Sequence, residues 1–163
     1  AKTRGAKIYA EIIGFGTSTD GTHITNPNRK TMGRAIELAL KCANLSPDKI
    51  GYVNAHGTAT IQGDIAETVA TEEIFKRKIP TSSTKSYTGH TLGACGAIEA
   101  ILSIEMMNRG WFHPTLNLTE IDPECGHLDY IMSEGREIKT DYVMSNNFAF
   151  GGINTSLIFK AMR

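Results

Sequence analysis

One lysine and two histidines are spaced in this chain so that they could act on an anion. Lys85 and His90 fall within Thr84-Lys85-Ser86-Tyr87-Thr88-Gly89-His90-Thr91-Leu92-Gly93-Ala94-Cys95-Gly96-Ala97. His56 opens a second stretch, His56-Gly57-Thr58-Ala59-Thr60. The first stretch begins where a strand-like run, Ile79 to Ser83, stops, and it ends inside a helix pattern, Ala97 to Met107. Its small residues predict a helix start pressed against neighbouring backbone. Such a start carries free N–H groups and a partial positive charge, so lysine and histidine beside it suit an oxyanion. The glycine spacing is not a dinucleotide fingerprint, and no Gly-Lys-Ser/Thr follows as in a P-loop. Taken alone, a glycine-bearing strand-to-helix turn is more often structural than functional.

The elements that must position these residues alternate along the chain. Lys7 to Phe15 reads as a buried strand and Thr17 to Asn28 as a loop. A helix over Lys30 to Ala43 shows an amphipathic face through Met32, Ala35, Ile36, Leu38, Ala39 and Leu40. Ser46 and Pro47 start a short turn. A second strand spans Ile50 to Ala55, a helix runs from Gly63-Asp64 to Arg77, and a third strand covers Ile79 to Ser83. The helix after the opening stretch ends near Arg109, with Gly110 as its cap. Pro114 to Leu118 and Asp122-Pro123 read as extended chain and turn. Short strands follow at Leu128–Met132, Tyr142–Ser145 and Thr155–Lys160. Between the last two, residues 146–154 form a tight connection that predicts an antiparallel pair. The order implies one α/β domain over residues 1–163 with a mixed sheet. Ligands in such sheets sit at the carboxyl ends of strands, so His56, Lys85 and His90 are expected to converge there.

Composition limits the function classes. The chain has 163 residues, 40% hydrophobic and 21% charged, which suits an ordinary globular domain. A formal net charge of zero argues against a nucleic-acid partner. The one tight basic cluster, Lys76-Arg77-Lys78, reads as a solvated helix end. No apolar run has membrane-spanning length. Three scattered cysteines, Cys42, Cys95 and Cys125, do not make a disulfide framework and point to a reducing, cytoplasmic setting. A zinc site can be drawn from His90, Cys95, Cys125 and His127, but the spacings match no standard pattern. His23, His113 and His127 read more simply as surface or turn residues.

Three motifs in this order carry a resemblance. They are Asn54-Ala55-His56-Gly57-Thr58-Ala59-Thr60, then Ser83 to His90, then Asn147-Phe148-Ala149-Phe150-Gly151-Gly152. Together they resemble the β-ketoacyl-acyl carrier protein synthases, the condensing enzymes of fatty-acid and polyketide synthesis, most closely the bacterial elongating types I and II. The resemblance covers essentially the whole chain. It implies the carboxyl-terminal half of a thiolase-like fold: a mixed five-stranded sheet with helices packed on it. It also implies that the nucleophilic cysteine lies in an amino-terminal half outside this chain.

The resemblance further implies decarboxylative condensation of malonyl-carrier protein with an acyl-cysteine. His56 and His90 match the two family histidines that stabilise the enolate oxygen, and Lys85 matches the family lysine. Asp64, Glu67 and Glu99 match acidic positions around that network; a solvated helix face is the alternative for each. Thr58 and Thr60 match threonines that contact a pantetheine arm. Phe148 and Phe150 match the mobile loop near the acyl pocket, with the Phe150 N–H in the oxyanion hole for the acyl-cysteine; simple core packing is their alternative. No cofactor or metal is implied. The implied partners are the acyl carrier protein, the amino-terminal half and a second copy in a homodimer.

Several positions depart from the family pattern. Cys95 stands where alanine is usual and reads as a packed residue; no neighbouring base or nucleophile elbow supports it as a substitute nucleophile. Asn147 stands for serine, Ala149 for glycine, Ile153 for threonine, and Ile61-Gln62 for a proline-containing pair. Alanine at 149 is expected to stiffen the loop by restricting positive φ. A non-catalytic relative, such as a chain-length factor, or a polyketide ketosynthase subunit is the alternative reading. The presence of His56, Lys85 and His90 together favours an enzyme.

Overall fold

The computed structural model describes residues 1–21 and 27–162; His23 lies outside them. The elements are β1 (Ala10–Thr19), α1 (Arg29–Ala43), β2 (Tyr52–Asn54), α2 (Ile61–Phe75), β3 (Pro80–Ser82), a four-residue α3 (Lys85–Thr88), α4 (Cys95–Arg109), β4 (Trp111–Phe112), β5 (Asp129–Tyr130), β6 (Arg136–Glu137), β7 (Tyr142–Ala149) and β8 (Ile153–Ala161). Helical crossovers make neighbouring strands parallel, whereas a tight turn makes them antiparallel. Accordingly β2 pairs parallel with both β3 and β7, and β3 pairs parallel with β5. The β7–β8 turn gives an antiparallel pair, and β8 pairs antiparallel with β1.

The sheet order is β1-β8-β7-β2-β3-β5, so the mixed α/β class holds but the sheet has six strands, not five. Each of the six was read as a strand from the sequence, and all of them join one sheet, β1 through β8, a partner at the far end of the chain. A small β4–β6 ribbon, which the sequence pattern did not indicate, stands apart. Alternation along the strands sends side chains to two faces. On one face Met32, Ile36 and Leu40 of α1 and Ala70 and Phe75 of α2 pack with Val53, Met144 and Ile158. On the other, Met106 and Met107 of α4 pack with Tyr52, Val143 and Phe159.

β1 is not the buried strand that its apolar residues suggest. It is an edge strand whose Ile12 and Phe15 are exposed at 64% and 52%. Its inward face is built from glycine because α1 crosses it closely. A Cβ on Gly16 would lie 2.0 Å from the Ala35 carbonyl oxygen.

Two further local expectations change. Residues 146–149 are not connection but the end of β7, and only Phe150–Gly152 make the turn. The glycines of the opening stretch do not press on backbone: a Cβ on Gly89 or Gly93 would meet nothing within 4 Å. Instead α3 and a 3₁₀ turn, Leu92–Ala94, separate β3 from α4. Gly110 caps α4 in the left-handed region, as read from sequence.

Candidate active site

The parallel pairing of β2, β3 and β7 puts their carboxyl ends on one edge of the sheet. His56 follows β2, Lys85 follows β3, and β7 overruns β2, since Asn54 pairs with Ser145 and four more β7 residues follow. That overhang carries Asn147 and Phe148 past the end of β2 to the level of His56. The imidazoles of His56 and His90 meet edge to face, 5.3 Å between centroids. The Phe148 ring stands 6.3 Å from His56.

Each histidine is held differently. His90 is exposed, and its Nδ1 accepts the Leu92 backbone N–H at 3.0 Å. In the neutral ring the proton therefore sits on Nε2, leaving that nitrogen as a donor. His56 is buried. Burial first, and then the charges of Lys85 and His90, push its pKa down to about 3. It is a neutral imidazole throughout the physiological range.

Behind the rings lies a buried charge network. The Lys85 ammonium donates to Glu99 Oε1, and both side chains are almost fully buried. Glu99 Oε2 accepts from Asn147 Nδ2 at 3.0 Å. A buried ion pair is tolerated only when its remaining hydrogen-bonding capacity is also met, and Asn147 meets it for the carboxylate. The Cys95 thiol donates to Asn147 Oδ1 at 2.9 Å.

The other acidic residues serve the backbone rather than the lysine. Glu67 is buried and accepts the N–H groups of His56 and Gly57, each at 2.8 Å. Burial raises its pKa to about 7, with those two bonds acting against the shift. Asp64 faces the backbone of Thr58 and Ala59, and burial raises its pKa as well. Neither lies on a solvated helix face.

A cleft of about 630 Å³ opens beside His90, lined among others by Thr58, Thr60, Asp64, Lys85 and Leu116; His56 stands behind its lining, between Ala55 and Gly57. The Thr58 and Thr60 hydroxyls stand 3.1 Å apart at its edge. Phe148 is buried in the core, while Phe150 is 68% exposed at the β7–β8 turn. The irregular segment 115–122 forms much of the cleft wall. Sequence reading gave Pro114 to Leu118 and Asp122-Pro123 only as extended chain and turn, since a chain without periodicity gives no pattern that marks a cleft wall. Asn147 was visible only as a departure from serine. Of the other histidines, His113 is half-buried with Nδ1 2.8 Å from the Pro114 carbonyl, and His127 is exposed. Among the described residues no three His, Cys, Asp or Glu side chains gather to hold a metal ion. No helix among them is long and apolar enough to cross a membrane.

Comparison with known proteins places this geometry in context. Residues 9–119 match the family described as Beta-ketoacyl synthase, C-terminal domain. The 3-oxoacyl-[acyl-carrier-protein] synthase 2 of Vibrio harveyi is 44% identical over 167 aligned residues, covering 98% of this chain and 40% of that protein. The chain thus spans about 40% of the length of such curated relatives. A crystal structure of a Beta-ketoacyl synthase from Burkholderia phymatum superposes with a TM-score of 0.98 at 62% identity, over 99% of this chain and 40% of that one. A type II PKS acyl-carrier protein in complex with its ketosynthase bound to the hexaketide gives 0.94 at 35% identity, over 99% of this chain and 41% of that one.

Proposed function

The chain belongs to the β-ketoacyl synthase family, as its carboxyl-terminal domain, and on that premise we propose that it supplies the enolate-stabilising half of a 3-oxoacyl-[acyl-carrier-protein] synthase. The observation that carries this reading is the pair of imidazoles, 5.3 Å apart at the strand ends, backed by the Lys85–Glu99 pair.

In the reaction an acyl group first moves from a carrier thioester to a cysteine thiolate outside this chain. Malonyl-carrier protein then enters, its pantetheine arm lying along Thr58 and Thr60. The C–C bond to the malonyl carboxylate breaks, carbon dioxide leaves, and the electron pair passes to the α-carbon and the thioester oxygen. N–H groups of His56 and His90 donate to that oxygen. Neutral donors suit this step, because they stabilise the developing charge in place without first binding the malonyl carboxylate as a cation would. The α-carbon attacks the acyl-cysteine carbonyl, whose oxyanion the Phe150 N–H stabilises, and the cysteine leaves as thiolate. Lys85 and Glu99 set the electrostatics and geometry; Glu67 and Asp64 hold the 56–60 loop.

The carrier protein is the partner of both substrates. The resemblance to a ketosynthase in complex with its acyl-carrier protein supports that assignment. The exposed Ile12 and Phe15 of β1 offer apolar surface for the amino-terminal half or a second copy in a homodimer. The three cysteines are free, in keeping with a reducing cytoplasm. The test uses the full-length enzyme and malonyl-carrier protein. His56→Ala or His90→Ala is expected to lower decarboxylation by about two to three orders of magnitude. Undiminished decarboxylation in both variants would exclude the reading.

A further inference from the structure

Two of the departures from the family pattern meet in space. Asn147, where serine is usual, and Cys95, where alanine is usual, come from β7 and from the first residue of α4, and they are hydrogen-bonded. We propose that Asn147 is a positioning residue of this site: its side-chain amide, oriented by the Cys95 thiol, holds the Glu99 carboxylate, and through it Lys85, behind the two imidazoles. The proposal rests on the condensing-enzyme reading given above.

The direction of the amide follows from its neighbours. An ionised carboxylate can only accept, so the edge of Asn147 facing Glu99 must be the N–H₂ edge. Oδ1 then points the other way and requires a donor, and the Cys95 thiol stands there at 2.9 Å. Burial and the Glu99 charge both raise the thiol pKa, so the sulfur keeps the proton it donates. The Asn147 side chain also faces the His56 ring and opposes the burial that depresses its pKa. One amide therefore bonds both the thiol and the carboxylate. The start of α4 flanks it closely as well: a Cβ on Gly96 would lie 3.7 Å from Asn147 Nδ2.

Serine could not do the same work. Its hydroxyl donates and accepts at a single atom one bond from Cβ, whereas the amide reaches farther and presents its donor and its acceptor on separate atoms. Alanine at position 95 would in turn leave the amide oxygen without a donor. The two departures are thus complementary, and each gives the other its reason.

The test uses the full-length enzyme, malonyl-carrier protein and five variants. Asn147→Leu is expected to lower kcat about 10- to 100-fold with KM within about twofold, the signature of lost alignment rather than lost binding. Asn147→Ser falls between parent and Asn147→Leu. Cys95→Ala lowers kcat severalfold, and Cys95→Ser, which keeps a donor, restores most of that loss. In the Asn147→Ser background Cys95→Ala has no further effect, because the bond it removes is already gone. The fifth variant is that double substitution.

The infrared S–H stretch reads the bond itself and does not depend on turnover. The Cys95 band, identified by its loss in Cys95→Ala, lies at the low frequency of a donated thiol and moves up in Asn147→Leu. A Cys95 band that Asn147→Leu leaves in place overturns the proposal, as do strictly additive effects in the double variant. Full decarboxylation by the His56→Ala and His90→Ala variants would instead overturn the reaction assignment, whatever the S–H band shows. Should Asn147→Leu fail to fold, the Asn147→Ser and Cys95 variants carry the same comparison.

Discussion

The Glu67 carboxylate accepts the backbone N–H of His56 at 2.8 Å, and so ties helix α2 to the strand end that presents the imidazole. Its other oxygen takes the Gly57 N–H at the same distance. Glu67→Gln keeps the shape but turns one acceptor into a donor facing an N–H. An unsatisfied buried donor costs about 1–3 kcal/mol, so chemical unfolding of the variant should show a loss in that range.

The same substitution changes the pH dependence. Burial lifts the Glu67 pKa from 4.5 to about 7 in the folded protein. Between those values the folded state binds more protons than the unfolded one, so this group's contribution is full below about 4.5 and is lost as pH rises through about 7. Glu67→Gln should remove that decline from a stability profile measured between pH 4.5 and 7. An identical slope in parent and variant would assign the titration elsewhere.

His56 acts with the opposite sign. Its pKa falls from 6.5 to about 3, so the unfolded state binds the extra proton between those values. Its contribution is full above about pH 6.5 and is lost as pH falls through about 3. His56→Gln should flatten the acid side of the stability profile. A decarboxylation rate that is lost near pH 6.5 through protonation of His56 itself would contradict the neutral-donor role.

What could be read from sequence and what could not have physical causes here. Helix α1 was legible because apolar spacing survives at its buried face, whereas α2 and α4 bury Glu67, Thr68, Thr71, Glu99 and Ser103 and were bounded by the turn residues around them. The ends of β2 and β3 were legible because polar, glycine-bearing runs interrupt them. The burial of β1 was misread because its inward positions are glycines, which carry no apolar signal, while Ile12 and Phe15 face outward. The length of β7 was misread because Asn146 and Asn147 look like turn residues, yet both lie in the ladder with β8. Convergence of His56, Lys85 and His90 followed from parallel strand order. The bonds of the Asn147 amide to Glu99 and Cys95 did not, since they are side-chain contacts between α4 and β7.

The Lys85–Glu99 pair gives a fourth test. Removing one partner of a buried ion pair typically costs about 3–5 kcal/mol, because the other charge is left uncompensated. Lys85→Met and Glu99→Gln should each lower the melting temperature strongly. The double substitution Lys85→Met/Glu99→Leu should recover much of that stability and none of the activity. Recovery of turnover would show that the pair serves the fold alone.

The loop glycines respond differently from what the family comparison suggests. Ala149 lies at φ −91° and ψ 164°, extended backbone that any residue adopts, so alanine there is not strained. The left-handed positions are Gly151 and Gly152, at φ 77° and 73°. A Cβ on Gly152 would also fall 2.2 Å from the Asp20 carboxylate. Gly152→Ala should therefore disturb the turn far more than Ala149→Gly, which should destabilise by about 0.5–1 kcal/mol and broaden acyl-chain acceptance by loosening the Phe150 turn. Unfolding measurements and a chain-length profile of the full-length enzyme distinguish the two. An unchanged profile in Ala149→Gly would detach that residue from the gate.

The 163-residue chain assayed alone should give no β-ketoacyl product and little decarboxylation. Condensation needs a thiolate to hold the acyl group. Cys95 is occupied in donating to Asn147, and burial raises the pKa of both Cys95 and Cys125. Cys42 is exposed on α1, away from the strand-end cleft. Decarboxylation in principle needs only the two imidazoles, but His90 is open to solvent in this chain. Water competes for its N–H and weakens the bond to an enolate oxygen. On the proposed reading the amino-terminal half walls the other side of the cleft, so this chain alone should hold the malonyl thioester loosely and lose most of the proximity advantage. The assay supplies acyl- and malonyl-carrier protein and follows both β-ketoacyl product and carbon dioxide. Activity that appears only on adding the amino-terminal half supports a nucleophile there. Robust product from this chain alone would place the nucleophile within it, and Cys95→Ala would then be the variant that decides.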